Sequence, residues 1–304
     1  MKRIMISFVA LTLAAFLFIG MAAPVYAEGT APVAENLELT TYRNVSVGGC
    51  LSACDPDGDA VSFEITTQPV KGCIELKQDG SFIYTPGEGK KGRDYFGYKA
   101  IDTEGNYSQE ATVIIKIEKQ KKDVFYADMA GRADEYAAVA LSENGLFTGE
   151  QVGGVYCFHP DELVTRGEFL SMCMIVSGEP VFTGVLSTGY ADDHEIPGWM
   201  KGYVATAAMC GVDHGRKTEI GSVFDASAPI RKAEAASMLD GALNVTSVSY
   251  IQLDDTLDAA LAQACVNLSA HGIMRSTEGI ENYLTRSEAA QMLSAALELQ
   301  ANRK

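Results

Sequence analysis

The sequence predicts a multidomain protein, with an N-terminal all-β sandwich followed by a C-terminal all-α domain of pseudo-threefold symmetry. Three observations predict it. Between residues 30 and 118, apolar residues alternate with polar ones at the period of a strand, and turn clusters interrupt them. Beyond residue 123 the apolar period becomes that of a helix. This second part is also written three times: a helical run closes on Gly145, Gly211 or Gly272, and a second helix then starts with a cation. Those starts read LVTRGEF (Leu163–Phe169), IRKAEAA (Ile230–Ala236) and LTRSEAA (Leu284–Ala290).

Residues 1–27 have the form of a secretory signal peptide. Lys2 and Arg3 precede an apolar run from Ile4 to Ala23, and Val25-Tyr26-Ala27 places small residues at a cleavage site. The competing reading is an uncleaved anchor, because the run is long enough to span a bilayer. Cleavage after Ala27 predicts a secreted protein with no membrane segment left. The whole chain has 24 basic and 40 acidic residues, a formal charge of −16. Acidity of this size argues against nucleic acid or an anionic membrane as partner.

Seven cysteines (Cys50, Cys54, Cys73, Cys157, Cys173, Cys210 and Cys265) cannot all pair within one chain, and none has the C-x-x-C spacing of a zinc or redox motif. One disulfide among Cys50, Cys54 and Cys73 is open in an oxidising compartment. Cys173 and Cys265 fall on apolar helix positions and are expected as buried thiols.

In the first domain, Val61, Phe63 and Ile65 alternate with polar residues, as do Ile74 and Leu76, Phe82 and Tyr84, and Val113, Ile115 and Ile117. DPDGD (Asp55–Asp59), KQDG (Lys77–Gly80), GEGKKG (Gly87–Gly92) and DTEGN (Asp102–Asn106) supply the turns. About seven short strands of this kind predict an antiparallel sandwich. The series DPDGD, QPVKGCIEL, DGSFIYTPGEG, GRDYFGYKAIDTEGN and ATVIIKI resembles the bacterial cadherin-like, immunoglobulin-type repeats of surface proteins, which implies a spacer or adhesive role. Asp55, Asp57, Asp59 and Asp102 are candidate calcium ligands, since they carry hard oxygen donors. The alternative is that Asp, Gly and Asn are simply what tight turns need. No other cofactor is expected.

EKQKKD (Glu118–Asp123) reads as a charged linker, with residues 119–123 joining the sandwich (30–118) to repeats at 124–180, 187–245 and 249–304. Thr165 with Glu168, and Thr285 with Glu288, have the spacing of a capping box. In the second helix of each repeat an apolar stripe recurs at one offset: Phe169, Met172, Cys173 and Val176; Ala235, Met238, Leu239 and Ala242; Ala289, Met292, Leu293 and Ala296. One helix pair cannot hide such a face alone, so the three must pack together. The cations Arg166, Lys232 and Arg286 are the oddity, because the macrodipole already makes a helix N-terminus positive.

Residues 124–304 resemble three tandem S-layer homology domains. Tyr126-Ala127-Asp128, Gly145-Leu146 and Thr165-Arg166-Gly167-Glu168 carry the likeness in the first repeat. Tyr190-Ala191-Asp192, Trp199, Gly211-Val212 and Arg231-Lys232-Ala233-Glu234 carry it in the second, and Asp255, Gly272-Ile273 and Thr285-Arg286-Ser287-Glu288 in the third. The departures are Ala133 and Ala260 at the tryptophan position, Lys232 at the arginine position, and a shorter loop before Arg286. The resemblance implies a three-pronged spindle at the cell wall whose grooves hold an anionic, typically pyruvylated, secondary cell-wall polysaccharide attached to peptidoglycan. Arg166, Lys232, Arg286, Trp199, Asp128, Asp192 and Asp255 are the candidate polysaccharide-binding residues. A guanidinium above free helix N–H groups would make a small cationic well. The alternative for each cation is a salt bridge to a neighbouring acid.

The four histidines (His159, His194, His214 and His271) form no catalytic motif, and neither a G-x-S-x-G elbow nor a Walker loop is present. A non-enzyme is expected. Two functions follow: attachment to the cell wall through polysaccharide, or assembly with other surface-layer proteins through repeats that no longer bind glycan.

Overall fold

The computed structural model describes residues 29–245, 258–274 and 279–303. The expected signal peptide and Asp255 lie outside the described residues. In the N-terminal domain β1 (Val33–Ala34), β2 (Leu37–Tyr42), β3 (Val47–Cys50), β4 (Ala53–Cys54), β5 (Ser62–Thr67), β6 (Gly72–Leu76), β7 (Ser81–Pro86), β8 (Gly92–Ile101) and β9 (Ala111–Glu118) follow in order. Two sheets face each other, one ordered β2-β9-β8-β5 and the other β3-β7-β6, while β1 and β4 form a separate short pair. The alternating residues point as the pattern requires: Phe82, Tyr84, Val113, Ile115 and Ile117 are buried, and Phe82 meets Phe96 edge-on at 5.3 Å. Asp94 sits in this core, accepting hydrogen bonds from the Tyr84 hydroxyl (2.7 Å) and the N–H groups of Val70 and Lys71.

One expectation needs correction. The sandwich is not wholly antiparallel, because β2 runs parallel to β9 in register Leu37–Val113 through Tyr42–Glu118. A parallel pair needs a long connection, and here the rest of the domain supplies it.

The C-terminal region is mostly helical. It contains α1 (Glu135–Glu143), then β10 (Glu150–Val152) and β11 (Val155–Cys157), then α2 (Arg166–Ser177) and α3 (Lys201–Met209). The hairpin of β12 (Arg216–Thr218) and β13 (Gly221–Val223) precedes α4 (Lys232–Leu243), α5 (Ala259–Ala270) and α6 (Arg286–Arg303). The two hairpins correct the all-α expectation. In the first, Gly153 and Gly154 both take positive φ (62° and 87°), as a two-residue turn of the primed type demands. Among the described residues the third repeat has no counterpart.

Local helix chemistry follows the sequence closely. Gly145, Gly211 and Gly272 adopt φ of 76°, 74° and 69°. The next N–H in each case reaches back to the helix, from Leu146 to Leu141, Val212 to Ala207 and Ile273 to Leu268, each at 2.9 Å. That is the Schellman closure, in which a left-handed glycine lets the chain satisfy carbonyls the helix leaves open. The Thr165–Glu168 and Thr285–Glu288 boxes form, with Thr N–H to carboxylate distances of 3.0 Å. Arg231 keeps only the return half, its N–H donating to Glu234 at 3.1 Å. The three apolar stripes merge into one core in which Phe169, Cys173, Leu239 and Leu293 are fully buried.

A closed ring of backbone hydrogen bonds links the repeats. Val164 N–H donates to Leu284 O, Leu284 N–H to Ile230 O, and Ile230 N–H to Val164 O, at 2.9–3.0 Å. All three residues are buried.

The two regions are docked on each other. Gly48 N–H donates to Ala133 O at 2.8 Å, Tyr136 N–H to Ser46 O, and Glu135 accepts from the N–H groups of Ser46 and Gly131. Gly48 is required there, since a Cβ would lie 2.7 Å from that of Ala133. Glu135 is buried, and burial raises its carboxyl pKa despite those two donors. The linker is tied down as well, with Lys121 and Lys122 N–H groups on the Glu143 carboxylate.

Candidate functional site: the grooves between the repeats

The helix N-termini are not open. Arg166 and Gly167 donate their N–H groups to Ala228 O and Ala226 O, Lys232 and Ala233 to Asn282 O and Ile280 O, and Arg286 and Ser287 to Glu162 O and Pro160 O. Each repeat therefore spends the free donors of its second helix on the loop of the next repeat, in cyclic order. The expected well of free N–H groups beneath each cation is closed.

The cations follow the same cycle. Arg166 is 2% exposed. Its Nε donates to Phe224 O at 3.0 Å, Nη1 lies 3.1 Å from Glu234 Oε1, and Nη2 lies 3.1 Å from Asp213 Oδ1. The guanidinium also stands 5.6 Å from the centre of the Phe224 ring. Glu234 is shared with Arg216, which forks onto it and reaches Asp225 at 2.7 Å. Lys232 Nζ contacts Glu288 at 2.5 Å. So Arg166 and Lys232 each bind the capping-box glutamate of the following repeat, which is the salt-bridge alternative the sequence left open for each cation.

Arg286 breaks the cycle. It pairs with Glu162 at 2.7 Å instead of with Glu168, donates to Phe158 O at 2.8 Å, and lies 4.9 Å from the Phe147 ring centre. Its side chain is 14% exposed, whereas Glu162 is 54% exposed. Arg286 also lines a groove of about 270 Å³ together with Phe147, Glu168, Met172, Trp199 and Tyr203. Trp199 is 62% exposed, and Tyr203, one helical turn on, meets its ring edge at 6.4 Å. A cation backed by an aromatic face, opposite a second aromatic pair, can hold an acidic group and the apolar face of a ring at once.

Asp128 and Asp192 are placed elsewhere. Asp128 accepts from the N–H groups of Phe158 and His159, and Asp192 from those of Phe224 and Asp225, at 2.7–2.9 Å for the shortest contact of each. They brace their own repeat where His159 and Asp225 take left-handed φ of 56° and 60°. Burial works against the charge of Asp128, but the two N–H donors outweigh it and hold its carboxyl below the usual range. These contacts tie both carboxylates into the scaffold. Phe147 and Tyr203 were not expected in the site. Tyr203 was within reach of sequence reasoning, since it follows Trp199 at helical spacing.

The candidate calcium ligands serve their own turns. Asp55 accepts from Asp57 and Asp59 N–H, Asp57 from Thr30 N–H, and Asp102 from Glu104 and Asn106 N–H. Among the described residues no three His, Cys, Asp or Glu side chains gather as a metal-holding group. All seven cysteines are unpaired: Cys173 and Cys265 are buried as expected, while Cys50, Cys54 and Cys73 are exposed. Among the described residues no helix is long and apolar enough to cross a membrane.

Residues 23–119 match the family model described as the bacterial cadherin-like domain. The match does not extend to the helical repeats. No curated protein matches the chain. Among solved structures, an endo-fucoidan hydrolase of glycoside hydrolase family 107 is 21% identical over 31% of this chain and 14% of its own, with a TM-score of 0.25. The SrpA adhesin from Streptococcus sanguinis is 18% identical over 34% of this chain and 64% of its own, with a TM-score of 0.26. The chain thus spans less than two thirds of either molecule. It has an N-terminal cadherin-like β-domain followed by a mostly helical region, with six α-helices among the described residues.

Proposed function

We propose that this is a non-catalytic protein of the bacterial cell surface, held on the wall by an anionic polysaccharide seated in the Arg286 groove. The cadherin-like domain serves as a fixed spacer or adhesive unit. The observation that carries this reading is the convergence of Arg286 and the exposed Trp199 on one groove. The Glu162 partner supports it too: a half-exposed ion pair contributes little, so a polymer carboxylate can take its place on the guanidinium. The resemblance of the repeats to S-layer homology domains points the same way. Attachment would then rest on one groove, since Arg166 and Lys232 are engaged within the fold.

The test is co-sedimentation of the purified chain with wall sacculi, before and after removal of the acidic polymer. Retention should disappear with the polymer and fall about tenfold in Arg286→Ala, the loss of one charge-assisted contact. A smaller fall is expected for Trp199→Ala. Equal sedimentation of stripped and intact sacculi would refute wall attachment. Exposed Leu186, Met209 and Ile220, all around the second repeat, favour a second reading in which the repeats assemble with other surface-layer proteins. Light scattering would reveal it as concentration-dependent growth that survives Arg286→Ala.

A further inference from the structure

A second pocket lies at the joint between the two regions, and it too has the chemistry of a binding site. The parallel pairing of β2 with β9 makes both strands leave the sheet side by side, so that Arg43 N–H donates to Glu118 O at 2.9 Å. Arg43 and Asn44 thereby come next to Lys119 and Gln120, and with Asp123 and Phe125 they line an open cavity of about 430 Å³. That volume lies in the range of small-molecule sites.

One polar group in the pocket is buried without a partner. Arg43 makes no side-chain hydrogen bond or ion pair among the described residues, and its Nε is shut off from solvent without an acceptor. Leaving such a donor unmade is costly, more so for a charged group. Gln120, only 9% exposed, lines the same cavity. The other buried side-chain atoms without a partner among the described residues, on Asp55, Tyr126 and Ser142, lie outside this cavity.

The remaining lining narrows the ligand. Arg43 and Lys119 against the single acid Asp123 make a cationic spot on a chain of charge −16. Asn44 has its Oδ1 occupied by Gly89 N–H at 2.8 Å, which leaves its amide N–H₂ to donate. Phe125 is 50% exposed between buried Val124 and Tyr126, so its ring stands out as a flat apolar face. Cations for a carboxylate, amides and one carboxylate for hydroxyls, and a ring for an apolar C–H face together describe an acidic sugar.

We propose that this joint pocket binds a carboxylate-bearing saccharide, with Arg43 and Lys119 on the carboxylate, Gln120 and Asp123 on hydroxyls, and Phe125 against the sugar ring. The site is separate from the Arg286 groove and does not rest on its assignment. Its walls come from the strand ends and from the entry to the helical region, so an occupant would brace the joint.

Calorimetric titration of the purified full chain with digalacturonate tests the proposal, with glucose and acetate as the uncharged and sugar-free probes. Digalacturonate should bind more tightly than either. Arg43→Met should weaken it at least about tenfold, as loss of a charge-assisted pair does. Phe125→Ala, a change at an exposed ring that leaves folding intact, should weaken it about fivefold. Titration in the Arg286→Ala background removes the groove's cation, and digalacturonate should still bind at the joint. Absence of digalacturonate binding would overturn the proposal, as would equal binding of glucose or acetate. So would parent-like binding by both pocket variants, or loss of binding in Arg286→Ala, which would assign the sugar to the groove.

Discussion

Arg166 and Arg286 occupy the same place in two copies of one motif, each one residue after a capping threonine and two before a glutamate. Their surroundings differ. Arg166 is enclosed between Asp213, Glu234 and the Phe224 ring. Arg286 meets a half-exposed Glu162 and opens onto a groove walled by Phe147 and Trp199. The difference comes from the following repeat. The second repeat presents Asp213 and the half-buried Glu234 to Arg166, whereas the first repeat presents the loop acid Glu162 to Arg286. One motif can thus be a structural clamp in one copy and a candidate site in another, and the partner surface decides which.

The comparison can be broken most directly by deleting both arginines. Arg166→Ala takes the ion-pair partner from Asp213, removes one of the two arginines on Glu234, and empties a buried site, so it should lower the unfolding free energy by about 3 kcal/mol, read by chemical denaturation. Arg286→Ala removes a pair with the half-exposed Glu162 and one bond to Phe158 O, and should cost about 1–2 kcal/mol. Equal losses would show that the two positions are energetically alike. Lys232→Met tests the third cation: its pair with Glu288 is partly exposed, 20% and 37% for the two side chains, so a loss within about 1 kcal/mol is expected.

Acid gives a gentler probe of the same clamp. Burial works against the charge on Glu234, but the Arg216 hydrogen bonds, the Arg231 N–H and the charge of Arg166 prevail and hold its carboxyl below the ordinary value. A lowered folded-state pKa means that the stabilisation is present above the unfolded value of about 4.3 and is lost as pH falls through the folded one. Stability should therefore drop on acidification below about pH 4, and the drop should be shallower in Glu234→Gln. An unchanged acid slope in that variant would remove Glu234 from the clamp. Thr285→Ala should cost about 1 kcal/mol for a lost cap, read in thermal unfolding.

What could be read in the sequence was local. The capping boxes at Thr165 and Thr285, the left-handed glycines 145, 211 and 272, the apolar stripes and the alternating strands each depend on neighbours within one turn or one hairpin. The three-residue strands of the helical region passed unnoticed, although Gly153-Gly154 between two valines is a hairpin signal. Trp199 and Arg286 were legible as candidates, but nothing local says that they share a groove, since 87 residues separate them.

By itself the sequence determined the change from strand to helix period, where the second helices of the repeats start and the first ones stop, and that three like units must bury one face together. Tertiary structure alone decided the parallel pairing of β2 with β9, the docking of Gly48 against Ala133, and the fate of the three cations. Caps and periodicity are properties of a few successive residues. The environment of a guanidinium is made by residues from another repeat, and only the folded chain brings Asp213 and Glu234 to Arg166 while giving Arg286 an aromatic groove.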